Sequence, residues 1–274
     1  MRKDFRQCVV ILLVFVNGIF AETLSQGADT VYGTAIAAYR TENEIVVAAD
    51  SKAVPFGGGS SYVEPLCKIR QFGDIFVTSS GLYREPVSNF DLWEIVSMAS
   101  MENRKLSSMV ESFETLARDR LRSTAALVKL LRPNEYQETF DKKSAVNVLF
   151  CGIEDSVLTL KVRHFFVHPN VDNTLVLVDI GAWDCPGNLC LDGKRTAFLI
   201  GKIEEDKQKI DETFQAPLLS QDAKYDVVNL ARKFVQMMID KDSVNFGPPI
   251  DILSITKDGA KWIQKKETCP EVKK

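Results

Sequence analysis

The chain has 274 residues, of which 45% are hydrophobic and 26% are charged, so it is long and apolar enough to form a sizeable core. Its 34 basic and 37 acidic side chains leave a net charge of -3. This nearly balanced charge, without a long basic run, does not favour nucleic acid or an anionic membrane as a partner.

The first predicted element is an export signal. Basic residues precede an apolar run over residues 9–20, and Ala21 follows that run. This is the layout of a signal peptide, with an uncleaved membrane anchor as the alternative; the run is shorter than the roughly 20 residues that a membrane-spanning helix needs. We therefore expect residues 1–21 to be removed and the protein to be exported to a periplasmic, extracellular or secretory-pathway compartment, away from the membrane.

Four short strands are predicted to open the folded domain. Residues 35–39 and 44–49 are apolar runs separated by four polar residues, which is typical of a hairpin of two buried strands. After a loop rich in glycine and serine, residues 68–72 and 74–79 repeat this pattern with a turn at Gly73.

Helical and strand patterns then alternate. Apolar residues recur at intervals of three and four over residues 89–100 and 106–131, which predicts two helices that end before Pro133. Further strands are predicted at 145–152, 158–167 and 174–180, a strand or strand-to-helix junction at 195–201, a helix at 223–240, and a hairpin over 250–264. This order predicts one layered α+β domain.

The cysteines that follow the signal would lie in an oxidising compartment, where they can pair. Cys185 and Cys190 close a short loop, CPGNLC, in which proline and glycine favour a turn, so they are the predicted disulfide; two unpaired loop thiols are the alternative. Their spacing is not that of a zinc or CxxC redox site, and we expect no metal or other cofactor. Cys151, within an apolar run, is predicted to be a buried core thiol.

The first predicted strand pair begins GTAIAAY at Gly33 and ends AADSKA at Ala53. These motifs resemble those of proteasome β-type subunits and their bacterial relatives. In that family, a branch of the N-terminal nucleophile hydrolases, the protein cuts its own Gly-Thr bond, and an Ala-Ala-Asp-Ser-Arg-Ala motif places its aspartate sixteen residues after the threonine. Thr34 and Asp50 are also sixteen residues apart. The resemblance implies self-cleavage after Gly33, Thr34 as nucleophile and Asp50 as an active-site carboxylate.

The resemblance implies three further site residues. Lys68, in the dipeptide Lys-Ile, matches the family lysine beside the threonine hydroxyl, with about two extra residues in the preceding loop. Gly81 matches the glycine whose backbone N–H serves as an oxyanion donor, and Asp242 matches an aspartate that supports the threonine. The chain departs from the family at Asn245 and Lys202, where the family has serines.

A threonine hydroxyl is a poor nucleophile at neutral pH, and a free α-amine on the same residue, with a pKa near 8, can act as its base. With two histidines in the chain, no GxSxG and no HExxH, the sequence does not favour a serine-triad or zinc enzyme.

The resemblance implies a four-layer αββα sandwich of two antiparallel sheets flanked by helices, over residues 34–274, with 22–33 as a propeptide. The implied activity is hydrolysis of a peptide or small amide through an acyl ester. A catalytically inactive scaffold or binding subunit of the same fold is the alternative. The ring assemblies of the family leave a homo-oligomer open.

Overall fold

The computed structural model of the chain describes residues 31–32, 34–55, 66–141, 143–190, 194–201, 207–216 and 226–271. The predicted signal at 1–21, most of the predicted propeptide, Gly33 and Lys202 lie outside these residues. Among the described residues, no helix combines the length and apolar character needed to cross a membrane.

Each strand predicted from apolar runs and turn residues is present, although the one predicted at 174–180 begins at Val176 and continues to Cys185, and there are additional short strands in the first third of the chain. In order they are β1 (Val31–Tyr32), β2 (Ile36–Arg40), β3 (Glu44–Ala49), β4 (Val54–Pro55), β5 (Ile69–Phe72), β6 (Ile75–Gly81), β7 (Arg84–Glu85), β8 (Phe90–Asp91), β9 (Lys143–Glu154), β10 (Val157–Pro169), β11 (Val176–Cys185), β12 (Thr196–Ile200), β13 (Asp251–Thr256) and β14 (Gly259–Gln264). The segment at 195–201 is thus a strand, and both histidines lie on β10 as strand residues.

The helices occupy two stretches of the chain. They are α1 (Leu92–Glu102), α2 (Leu106–Leu131), α3 (Pro133–Thr139), α4 (Lys207–Ile210), which continues into a π-helical turn over Asp211–Gln215, and α5 (Val227–Lys241). The predicted start of the first helix at residue 89 is wrong by three residues. The carboxylate of Asp91 accepts hydrogen bonds from the backbone N–H groups of Trp93 and Glu94, which caps the helix at that point. The short helix α3 was not predicted.

Two five-stranded antiparallel sheets form the centre of the domain. One has the order β12-β2-β3-β13-β14, which we call the Thr34 sheet because β2 follows Thr34. The other, which we call the second sheet, has the order β11-β10-β9-β6-β5. A small sheet of order β4-β1-β7-β8 lies beside them and includes the residues that precede Thr34.

Strands β2, β3 and β6 are buried on both faces, which explains why they read as continuous apolar runs. On β2, Ile36 and Ala38 pack between the sheets with Leu149 and Leu160 of the second sheet. Their neighbours Ala35, Ala37 and Tyr39 point the other way, into a cluster with α5. The outer face of the second sheet packs against α1, α2 and α3 in a third cluster. The fold is therefore an α+β sandwich, as the sequence predicts.

The packing of α2 on the second sheet gives a test of this layering. Phe113 is fully buried, and its ring lies 5.1 Å from that of Phe150 and 5.7 Å from that of Phe165, in edge-to-face contacts. Phe113→Ala is expected to lower the free energy of unfolding by roughly 3 to 5 kcal/mol, through lost burial and the cavity it leaves. Leu130→Ala, on the same helix but 78% exposed, should change it by less than about 0.5 kcal/mol. Urea denaturation measures both, and equal losses would contradict this packing.

Candidate active site

The hydroxyl of Thr34 lies in a buried hydrogen-bonded chain. Thr34 stands two residues before β2 and is 3% exposed. Its Oγ1 is hydrogen-bonded to the hydroxyl of Tyr83, which in turn donates to the carbonyl of Ser79 at 2.5 Å. Because the phenol has a single proton, Thr34 is the donor in the first bond. Burial raises the pKa of Tyr83, so this residue stays a neutral phenol near neutral pH and holds the threonine in place.

The carboxylate of Asp50 connects the other residues of the site through hydrogen bonds. This carboxylate is fully buried at the end of β3 and accepts four hydrogen bonds. One oxygen accepts from the backbone N–H of Ala35 at 2.9 Å and from the ammonium of Lys68 at 3.2 Å. The other accepts from the backbone N–H groups of Lys52 and Gly247, both at 3.0 Å. These donors satisfy a buried charge that would otherwise be costly, and they join four separate segments of the chain.

Lys68 is buried at the start of β5 with its charge paired. Only 1% of its side chain is exposed, and its ammonium donates to Asp50 and to the carbonyl of Lys52. The ammonium also lies 5.6 Å from the centre of the Tyr83 ring. Burial lowers the pKa of Lys68 from 10.5 to about 8, against the opposing effect of Asp50, which raises it. The cation therefore predominates at neutral pH, while the neutral amine becomes accessible slightly above it.

Gly81 ends β6 at a point where only glycine fits. Its φ is +90°, and a Cβ at this position would collide with the backbone oxygen of Ala145. That oxygen accepts a hydrogen bond from the N–H of Leu82 at 2.9 Å, so the turn is fixed to the neighbouring strand. The turn brings Tyr83, two residues later, onto Thr34.

Asp242 begins the loop that contacts Asp50 through Gly247. It follows the end of α5, and its carboxylate accepts from the backbone N–H and the side-chain amide of Asn245, at 3.2 and 2.8 Å. Asn245 is thus a partner of Asp242. Two residues later in this loop, the N–H of Gly247 donates to Asp50 and its carbonyl accepts from the N–H of Ser51 at 3.0 Å.

The structure therefore brings Thr34, Asp50 and Lys68 into one buried cluster, with Gly81 at the turn beside it. It also adds Tyr83, which sequence reasoning missed. The only signal for Tyr83 in the sequence is its place two residues after Gly81, and its contact with Thr34 depends on the backbone turn between them.

Four cysteines of the described residues form two disulfides. The predicted disulfide between Cys185 and Cys190 is confirmed, and Cys151 is a buried free thiol as predicted. A second disulfide, between Cys67 and Cys269, was not predicted. Among the described residues, Cys67, Asp251 and Cys269 form the one group placed closely enough to bind a metal ion. Their two sulfurs are bonded to each other, so neither is a thiolate ligand.

Comparison with known proteins adds no family to this description. No protein-family model matches the chain, and no curated protein matches it either. The side chains around Thr34 and the sequence motifs that contain them are therefore the features that bear on function.

The pairing of Asp50 with Lys68 predicts a pH-dependent change in stability. Asp50→Asn is expected to lower the free energy of unfolding by roughly 3 to 5 kcal/mol near neutral pH, because it leaves a buried ammonium without its counter-charge. Asp50 raises the pKa of Lys68, so in the variant the folded state releases that proton at a pH below about 8. The unfolded chain keeps the proton up to its ordinary pKa of 10.5. As the pH rises, the variant therefore starts to gain stability at a lower pH than the wild type. The difference in the free energy of unfolding between wild type and variant shrinks as the pH approaches 8.

Urea denaturation at several pH values from about 6 to about 9 measures this deficit. Asp74→Asn, at the exposed turn between β5 and β6, is the matched control and should change the stability by less than about 0.5 kcal/mol at every pH. A deficit for Asp50→Asn that stays constant across the range would contradict the pairing.

Proposed function

We propose that this chain is a threonine-nucleophile hydrolase of peptide or small amide bonds, exported and activated by cleavage between Gly33 and Thr34. The observation that carries the proposal is the convergence of the Thr34 hydroxyl, a phenol and the Lys68–Asp50 ion pair in one buried cluster. Two facing antiparallel sheets with helices on their outer faces support the N-terminal nucleophile hydrolase fold for the domain.

Cleavage would supply the base that the cluster lacks in the uncut chain. In the uncut chain the nitrogen of Thr34 belongs to a peptide bond and cannot take up a proton at neutral pH. Once freed, it is an α-amine with a pKa near 8, on the same residue as the hydroxyl. This amine takes the hydroxyl proton as Oγ1 attacks the substrate carbonyl carbon. The nearby ammonium of Lys68 favours the negative charge that develops on Oγ1.

The remaining steps follow from the same groups. The carbonyl oxygen becomes an oxyanion, for which the backbone N–H of Gly81 is the proposed donor. The protonated α-amine then gives its proton to the leaving nitrogen, and the C–N bond breaks to leave an ester on Thr34. Water, activated by the α-amine, attacks this ester and releases the acid. During all of these steps Asp50 holds Ala35 and Lys68 in position, because one of its oxygens accepts hydrogen bonds from both residues.

One observation favours a second function, that of a non-catalytic scaffold. Residues Val31–Tyr32 form β1, which pairs with β4 and with β7, so the residues before Thr34 are part of a sheet. Thr34 itself is 3% exposed in this uncut chain. A scaffold would keep β1 in place, whereas the hydrolase must release it to uncover the threonine.

The N-terminus of the purified protein separates these functions. Intact mass and N-terminal sequencing of the wild type are expected to give a chain that starts at Thr34. Thr34→Ala removes the hydroxyl and should retain residues 22–33, whereas Thr34→Ser keeps a hydroxyl and should be cut at the same bond. If the wild type and Thr34→Ala both begin at Glu22, the nucleophile hypothesis is excluded.

Labelling with a threonine-directed electrophile completes the test. The hydrolase should form an adduct on Thr34 in the cut wild type and none in Thr34→Ala. A cut chain that forms no adduct would indicate a processed but inactive scaffold.

A further inference from the structure

A second buried lysine–aspartate pair lies next to the first. Lys266, two residues beyond β14, has a side chain that is 6% exposed, and its ammonium lies 3.0 Å from the carboxylate of Asp251. The backbone N–H of Lys266 donates to the other oxygen of Asp251 at 2.9 Å. Asp251 is fully buried, so this pair, like Lys68–Asp50, is placed where a lone charge would be costly.

The ammonium of Lys266 joins the two segments that carry Asp50 and Lys68. It donates to the hydroxyl of Ser51, the residue after Asp50, and to the carbonyl of Leu66, two residues before Lys68. The N–H of Leu66 in turn donates to the carbonyl of Ser51 at 3.0 Å. These contacts fix the end of β3 against the approach to β5, which are the positions from which the first ion pair is built.

A disulfide fastens this lysine in place. Cys269, three residues after Lys266, is bonded to Cys67, which immediately precedes Lys68. The N–H of Cys269 donates to the carbonyl of Lys266 at 3.1 Å, so the segment 266–269 is a closed turn. The sulfur of Cys269 lies 3.4 Å from the carboxylate of Asp251. The C-terminal turn is therefore anchored at both of its ends beside the candidate active site.

The two pairs also interact through their charges. The cation of Lys266 lowers the pKa of Lys68, while the anions of Asp50 and Asp251 raise it. In the reverse direction, burial lowers the pKa of Lys266, and the anions of Asp251 and Asp50 oppose that shift. The phenol of Tyr83 also faces Lys68 and stays neutral.

We propose that Lys266 is a positioning residue of the candidate active site. It lies in the turn 266–269, which the Cys67–Cys269 disulfide holds beside the Lys68–Asp50 pair. Its contact with Ser51 and Leu66 sets the geometry of that pair, and its charge lowers the pH at which Lys68 loses its proton. The placement is independent of the reaction, whereas its effect on catalysis rests on the function proposed above.

The pKa of Lys68, followed by NMR of the side-chain ammonium resonances in the full chain, tests this proposal directly. Lys266→Met removes the cation that lowers this pKa, so the pKa should rise by roughly 0.5 to 1 pH unit. Lys261→Met is the matched control, because this lysine is exposed on β14, and it should leave the pKa unchanged. A folded Lys266→Met variant with an unchanged Lys68 pKa overturns the proposal.

Release of the turn without removing the lysine gives a second measurement if Lys266→Met does not fold. Cys269→Ser, or opening of the disulfide by dithiothreitol, should also raise the pKa of Lys68, because the released turn no longer holds the cation of Lys266 close to it. Dithiothreitol is itself oxidised to its cyclic disulfide in this step. The pair Cys185→Ser and Cys190→Ser controls for loss of the other disulfide and should leave the pKa unchanged. If opening Cys67–Cys269 leaves the pKa of Lys68 unchanged, the disulfide does not hold Lys266 in its position and the proposal fails.

Electrophile labelling of Thr34, measured across pH on the same variants, separates the two proposals. For an active enzyme, the alkaline limit of labelling should move upward in Lys266→Met with the pKa of Lys68. If the wild type forms no adduct while the Lys68 pKa still rises in Lys266→Met, the hydrolase function fails and the positioning role stands. If labelling is normal and neither its pH profile nor the pKa moves, the positioning role fails and the hydrolase function stands.

Discussion

The buried carboxylate of Asp50 is the constraint on which this site depends. A fully buried anion is stable only if its lone pairs are occupied, and here two backbone N–H groups, a third from a distant loop and one ammonium occupy them. Each donor comes from a different part of the chain. The requirement to satisfy one charge therefore fixes the start of β2, the approach to β5 and the loop after α5 relative to one another.

The sandwich provides the low-dielectric surroundings that make these charges matter. Because both faces of the Thr34 sheet are covered at β2 and β3, water is excluded from the ends of these strands, where Thr34 and Asp50 lie. The same exclusion lowers the pKa of Lys68 to about 8. The cost of desolvating the lysine therefore brings the loss of its proton close to neutral pH.

The sequence predicts the parts of this arrangement that depend on local pattern. Continuous apolar runs such as residues 44–49 identify strands buried on both faces, and the spacing of Thr34 and Asp50 places both at the same end of one hairpin. The contact of Tyr83 with Thr34 could not be predicted, because it depends on the positive φ of Gly81. Nor could Lys266 be placed, since its contact with Ser51 spans 215 residues and arises from how the last hairpin packs. Cysteine pairing has the same difficulty, because spacing identifies the short loop but not Cys67–Cys269.

The Cys67–Cys269 bond joins residues separated by 202 positions, so it encloses most of the domain in a single covalent loop. Loops of this length restrict the unfolded chain strongly, by an amount on the order of 5 kcal/mol in the chain-entropy account. The bond also forms late in synthesis relative to its first cysteine, because Cys269 is made 202 residues after Cys67. A nascent chain that stops before Cys269 cannot close this bond. Synthesis as far as Cys269 is thereby a condition for completing the site.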